Sequence, residues 1–213
     1  MKVLELFSGT HSVGNVCNER NYEVVSLDLH NADINIDILN WDYKVYPPKY
    51  FDIIWASPPC ATFSTLTNGN LGRRLKCINN EIYTKEIMEK REKEIGLVIL
   101  NKTKEIIRYF NPKYYFIENP KTGRMKNYMN EYNFYDVDYC MYSNWGYKKS
   151  TRIWTNVKNF ENKTCNKKCG NIIDNKHTHS VGHTKGYGIG NFSLNDRYRV
   201  PYKLIRDLLD CCE

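Results

Sequence analysis

The run Phe51-Asp52-Ile53-Ile54-Trp55-Ala56-Ser57-Pro58-Pro59-Cys60-Ala61-Thr62-Phe63-Ser64 joins an apolar segment to a loop that carries a thiol. Phe51 to Ala56 has the length and composition of a buried strand, and Ser57-Pro58-Pro59 closes it. Two proline rings fix their backbone φ angles and hold the next side chain at a set angle. Free cysteines are usually buried and inert. In this setting Cys60 is presented rather than hidden.

The same grammar recurs on either side. Val3 to Phe7 is a short apolar run followed at once by Ser8-Gly9-Thr10, a strand ending in a tight loop, and Ser12 to Arg20 then suits a helix. Tyr22 to Leu27 is a second strand ending on Asp28, and Tyr114 to Ile117 is a fourth, ending on Glu118-Asn119-Pro120. Between them, Ile87, Ile95, Val98, Ile99, Ile106 and Phe110 recur at helical spacing from Glu86 to Phe110, and Pro112 stops that run. Strands alternating with helices imply right-handed crossovers and a mostly parallel sheet. Ligands of such sheets bind beyond the carboxyl ends of the strands, where Ser8, Asp28, Cys60 and Glu118 all fall. Past Tyr135 the pattern changes to antiparallel strands, Tyr135 to Met141 and Arg152 to Thr155. Val157 to Asn195 lacks periodicity, and Tyr202 to Leu209 ends the chain as a helix begun after Pro201.

Composition sets the class of partner. The chain has 213 residues and a net charge of +7. Residues 1–60 carry four Lys/Arg against eight Asp/Glu, whereas residues 141–213 carry thirteen against six. An acidic front suits a small cationic cofactor, and basic later segments suit a polyanion, although a solvated lysine-rich surface is the plainer account. Eight cysteines without regular spacing, together with an N-terminus that turns polar too soon for an export signal, point to reduced thiols in an intracellular compartment. No run reaches membrane-spanning length, and a monomer is expected.

The loop residues suggest roles. A glycine after a strand lets backbone approach a cofactor, and the next helix offers free N–H groups. Asp28 can accept ribose hydroxyls, and Asp37 can reach an adenine amine or remain a surface acid. Enzymes that methylate exocyclic amines need an aromatic residue where Cys60 stands, so a thiol there points to attack on a ring carbon. A Glu directly after an apolar strand is costly unless functional or hydrogen-bonded; a cap for a helix over residues 123–129 is the structural alternative for Glu118.

Taken in order, these motifs resemble the cytosine-5 DNA methyltransferases, in particular the short forms of phages and other viruses. Phe7-Ser8-Gly9-Thr10-His11 is similar to their cofactor loop, Pro59-Cys60-Ala61-Thr62-Phe63-Ser64 to their nucleophile motif, and Glu118-Asn119 to their Glu-Asn pair. Thr151-Arg152-Ile153-Trp154 is similar to their arginine-bearing strand, and Arg197-Tyr198-Arg199-Val200-Pro201 to their late Arg/Pro stretch. The resemblance implies a Rossmann-like S-adenosylmethionine-dependent fold: a mostly parallel sheet, helices on both faces and a small irregular insertion. It divides the chain into a catalytic domain over 1–156, a reduced target-recognition segment over 157–195 and a returning C-terminal motif over 196–213. It implies that Cys60, with its pKa lowered, adds to carbon 6 of a flipped cytosine, that Glu118 holds the ring nitrogen and amine, and that Arg152 binds the base carbonyl. Phe7, Ser8, Gly9, Thr10, His11, Asp28, Asp37, Pro59 and Leu100 would line the S-adenosylmethionine pocket. Ser64, Asn119 and Lys149 would meet the DNA, and the loop after Cys60, with Arg73, Arg74 and Lys76, either closes over a phosphate backbone or is a solvated helix-cap loop.

The departures are His11 for the loop's second glycine, Glu5 as the acid before it, Pro120 after the Glu-Asn pair, and Ser150 for an upstream arginine. Thr155 to Asp196 leaves 42 residues for recognition, so a short or relaxed target site is expected. Within it Cys165, Cys169, His177, His179 and His183 offer zinc ligands, or are solvated loop residues. RNA or a free cytosine nucleotide stands as an alternative substrate, and a catalytically degenerate nucleic-acid binder as the non-enzymatic alternative.

Overall fold

The computed structural model describes residues 1–179 and 194–212, so His183 lies outside the described residues. The strands are β1 (Lys2–Leu6), β2 (Glu23–Asp28), β3 (Ile34–Asn35), β4 (Ile53–Ala56), β5 (Arg74–Leu75), β6 (Glu81–Ile82), β7 (Tyr114–Pro120), β8 (Phe134–Asp138), β9 (Ser150–Thr155), β10 (Ile172–Ile173) and β11 (Lys176–His177). The helices are α1 (Ser12–Glu19), α2 (Lys85–Arg91), α3 (Leu97–Phe110), α4 (Leu194–Tyr198) and α5 (Tyr202–Leu209). Seven strands form one sheet in the order β3-β2-β1-β4-β7-β9-β8. Strands β1, β2, β3, β4 and β7 pair in parallel, and β9 runs antiparallel between β7 and β8. This is the Rossmann-like α/β arrangement the alternation of elements implies. The hairpins β5–β6 and β10–β11 stand apart from the sheet.

The central strands read as continuous apolar runs because both faces are buried. Val3, Ile53, Trp55, Phe116 and Ile153 point to one face and pack with Val13 and Val16 of α1 and Leu204, Ile205 and Leu208 of α5. Leu4, Leu6, Ile54, Ile117 and Trp154 point to the other and pack with Leu100, Ile106, Ile107 and Phe110 of α3. Helices thus cover both faces. The last helix lies beside the first, and the Val200 N–H donates to the Ser12 hydroxyl at 3.1 Å, tying the late Arg/Pro stretch to the first loop.

Three local differences matter for the site. The helical run from Glu86 is two helices joined by a π-turn over Glu92–Gly96. Residues 123–129 form a 3-10 turn, Arg124–Tyr128, whose N-terminal residue is Gly123, and Glu118 does not cap it. Strand β3 has only two residues. Among the described residues no helix is long and apolar enough to cross a membrane.

Candidate active site

The thiol and the carboxylate singled out above lie at the ends of two neighbouring parallel strands. Cys60 follows β4, and Glu118 lies near the end of β7, which pairs with β4 from Ile53↔Tyr114 to Ala56↔Ile117. Asn119 Nδ2 donates to the Pro58 carbonyl at 2.8 Å, pinning the proline loop to β7. Asn119 is 1% exposed, so it positions the loop rather than meeting a substrate. Cys60 is half-buried. Its thiol is pushed above its ordinary range, first by burial and then by the negative charge of Glu118, with Lys149 acting in the opposite sense. The lowered pKa the resemblance implies is therefore absent from this arrangement. The cause is plain: the thiol is half-buried and feels the charge of a nearby carboxylate.

Glu118 is buried and has two partners. The Tyr139 hydroxyl donates to Glu118 Oε1 at 3.0 Å, and Lys149 Nζ lies 3.6 Å from the same oxygen. Lys149 also donates to the Arg197 carbonyl at 3.1 Å and lies over the Tyr139 ring. Tyr139 is wholly buried in the turn after β8. Nothing in its local sequence marked it, since only the sheet order brings β8 near β7.

Arg152 is the main correction. In the β7–β9 register Glu118 faces Ile153, whereas Arg152 faces Asn119. Side chains alternate faces along a strand, so Arg152 projects away from Glu118. There it forms a two-bond pair with Asp136, at 2.7 and 3.0 Å, and stacks on the Phe134 ring. Lys149, expected to meet DNA, is the cation that faces the carboxylate.

The loop beyond Cys60 is held from beneath. Arg124 donates to the carbonyls of Thr62 at 2.9 Å and Ser64 at 3.2 Å, and pairs with buried Glu92. Tyr128 donates to the other Glu92 oxygen at 2.8 Å. Glu92 opens the π-turn and Gly96 ends it. A β-carbon on Gly96 would collide with Thr62 Oγ1 and come within 2.9 Å of the Phe63 ring. Ser64 caps the short 3-10 helix Thr65–Asn70 by accepting the Leu66 N–H. Arg73 and Arg74 are exposed at the start of the β5–β6 hairpin.

At the first loop, Phe7, Gly9 and His11 all have positive φ, at 60°, 46° and 54°. A positive φ is an outlier for a bulky residue such as Phe7, and strain of this kind clusters at ligand sites. Asp28 accepts the Gly9 N–H at 2.9 Å and the Leu29 N–H at 2.7 Å. A carboxylate has about four acceptor sites, which leaves capacity for ribose hydroxyls. The Ser8 hydroxyl is buried and has no hydrogen-bond partner, so the loop carries a polar atom free for a ligand. Thr10 bonds Ser12, His11 Nε2 lies 2.5 Å from the Asn31 carbonyl, and Asp37 and Pro59 are exposed. Leu100 is 0% exposed within the α3-side core and offers no surface to a cofactor. Glu5 accepts the Val13 and Gly14 N–H groups at 3.1 and 3.0 Å, capping α1, and burial pushes its carboxyl up to about 7. A cavity of about 530 Å³ lies behind the loop, among Glu5, Gly14, Ser26, Asp33 and Asn35; of the cofactor candidates only His11 borders it.

No protein-family model matches the chain. Among solved structures, Entamoeba histolytica methyltransferase EhMeth aligns with 15% identity and a TM-score of 0.49 over 78% of this chain and 55% of its own. The S. pombe Dnmt2 methyltransferase aligns with 14% identity and a TM-score of 0.44 over 73% and 48%. The chain thus spans about half the length of these structures. A relative from Frog virus 3 (isolate Goorha), named "Probable DNA (cytosine-5)-methyltransferase", is 43% identical and covers all of both chains. With that full-length identity, and with a Pro-Cys loop and a Glu-Asn pair side by side at the strand ends, the chain belongs to the DNA cytosine-5 methyltransferase family.

Proposed function

We propose that this protein transfers a methyl group from S-adenosylmethionine to carbon 5 of cytosine in DNA, with Cys60 as the nucleophile. The observation that carries the proposal is the pairing of a presented thiol with a buried, doubly partnered carboxylate at the ends of adjacent strands. When bound, S-adenosylmethionine supplies an electrophilic methyl group. The orphan Ser8 hydroxyl and the spare acceptor sites of Asp28 suit its polar groups.

The target carbon is inaccessible in a stacked duplex, so the cytosine is flipped into the site. Water takes the Cys60 proton, and the thiolate so formed adds to carbon 6. The electrons of the C5–C6 double bond move toward carbon 5 and ring nitrogen 3. Glu118, held by Tyr139 and Lys149, acts in its carboxylic acid form: it donates its proton to ring nitrogen 3 and accepts a hydrogen bond from the exocyclic amine, which neutralises the charge that develops on that edge. Carbon 5, made electron-rich by the Cys60 adduct, would be the atom that accepts the methyl group S-adenosylmethionine supplies. Water takes the carbon 5 proton, the electrons of that bond restore the double bond, and the Cys60–carbon 6 bond breaks with its electrons on sulfur, which frees Cys60 as a thiolate. The exposed arginines of the β5–β6 hairpin are suited to the phosphate backbone.

The test is methyl transfer from labelled S-adenosylmethionine to unmodified DNA, RNA and deoxycytidine triphosphate in parallel. Label in DNA as 5-methylcytosine, lost in Cys60→Ala, is the expected result. Transfer to RNA or to the nucleotide alone would replace DNA as the substrate, and transfer that survives Cys60→Ala would refute the mechanism.

A further inference from the structure

We propose that Cys140, Cys165, Cys169 and His177 form a structural zinc site that staples the segment after β9 to the wall of the active site. Their ligand atoms all lie within 4.8 Å of one another. Cys165 Sγ lies 3.6 Å from Cys169 Sγ and 3.6 Å from His177 Nε2, and Cys169 Sγ lies 3.4 Å from His177 Nε2. With Zn–S near 2.3 Å and Zn–N near 2.0–2.1 Å, a tetrahedron has S···S edges of about 3.7 Å and S···N edges of about 3.5 Å. The three separations match those edges. They are too long for a disulfide, whose sulfurs sit about 2.05 Å apart, and all eight cysteines are free thiols.

The ligand set differs from the one the sequence offers. His179 is turned elsewhere: its N–H donates to the Gly146 carbonyl at 2.9 Å, and its Nδ1 lies 3.1 Å from the Thr178 hydroxyl. Cys140 takes the fourth place, from the short turn after β8 and 25 residues ahead of Cys165. Three cysteines and one histidine, with no position left for water, make a closed structural set rather than a catalytic one.

The surroundings are built for it. The Lys167 N–H donates to Cys165 Sγ at 3.3 Å, the kind of bond that steadies a metal-bound thiolate. Asn171 is buried; it donates to the carbonyls of Cys140 and Ser143 at 3.0 and 2.9 Å and accepts the Gly146 N–H at 3.2 Å. Asp138 accepts the Cys165 N–H at 2.6 Å and pairs with Lys148, whose ammonium offsets negative charge near the thiolates. Beyond Phe160 the described part of the segment adds nothing to the apolar core on its side of the sheet until Val200. Among its described residues the only strands, β10 and β11, are two residues each. A segment with so little apolar burial needs a staple to hold one shape. Cys140 directly follows Tyr139, the residue that bonds Glu118, so the same staple steadies the carboxylate's partner.

The experiment is metal analysis of the full chain by mass spectrometry after exhaustive dialysis, followed by exchange to cobalt. The expected result is about one zinc per chain and, with cobalt, the visible bands of a tetrahedral thiolate-rich site. Cys140→Ser, Cys165→Ser, Cys169→Ser and His177→Ala should each lose most of the metal, while His179→Ala and Cys77→Ser keep it. Because ligand variants can unfold, the wild-type cobalt spectrum and thiol titration stand as independent readouts. A wild-type chain that takes up no zinc on reconstitution, full retention in Cys140→Ser, or a Cys165–Cys169 disulfide in place of metal would each overturn the proposal.

Discussion

The proposed chemistry turns on three side chains: Cys60, Glu118 and Lys149. Burial and the Glu118 charge hold the Cys60 thiol high while Lys149 draws it down, so adduct formation should quicken as pH rises. Lys149→Gln removes the lowering charge and should move the rising limb of the kcat/KM profile to higher pH. Glu118→Gln removes the raising charge and should move that limb lower, while costing about 10²–10³ in kcat through lost transition-state stabilisation. A profile that ignores both substitutions would contradict the assignment. Arg152 gives the complementary test. Its bonds to Asp136 are worth about 1–3 kcal/mol, so Arg152→Ala should lower the melting temperature and leave the pH profile in place. The motif containing Arg152 was legible in the sequence, but the face on which its side chain lies was not. That face is set by the β7–β9 register, and a one-residue slip would reverse it.

Among the elements, the parallel strands and their loops were legible because each apolar run stops at a glycine, a proline or an acid. Strand β3 was hidden by its two-residue length, and the π-turn by a helical period that continues on both sides of it. The π-turn matters because it lets Gly96 meet Thr62 and Phe63, and it brings Glu92 to Arg124 beneath the Cys60 loop. Gly96→Ala should therefore displace the loop, lowering kcat while the melting temperature shifts by only a few degrees. Equal activity in that variant would show that the close approach is dispensable. At the first turn of α1, burial raises the Glu5 carboxyl to about 7 from an ordinary value of 4.5. The fold thus favours the protonated form. This contribution to stability is fully present below about pH 4.5 and is lost as pH rises through 7. Denaturant midpoints measured from pH 5 to 8 should fall with this sign and flatten in Glu5→Gln.

At the scale of the whole molecule, residues far apart in sequence close one site. The C-terminal helix seals the face against which α1 packs, and Leu204 and Leu208 are 0% exposed there. Leu208→Ala should cost about 2–5 kcal/mol in chemical denaturation and reduce cofactor binding only through unfolding. Tyr139 and Cys140 could not be singled out from sequence because their partners, Glu118 and the Cys165–His177 segment, meet them only after the antiparallel strands have paired. The central claim is that this assembly makes a covalent bond to cytosine through Cys60. The most direct measurement uses DNA carrying 5-fluorocytosine, which blocks release because carbon 5 then bears no proton to lose. With S-adenosylmethionine present, a denaturation-resistant protein–DNA adduct should form, and peptide mass spectrometry should place it on Cys60. Loss of the adduct in Cys60→Ser and its retention in Arg152→Ala would agree with this account. Methylation of ordinary DNA without any trapped adduct, or an adduct at another residue, would contradict it.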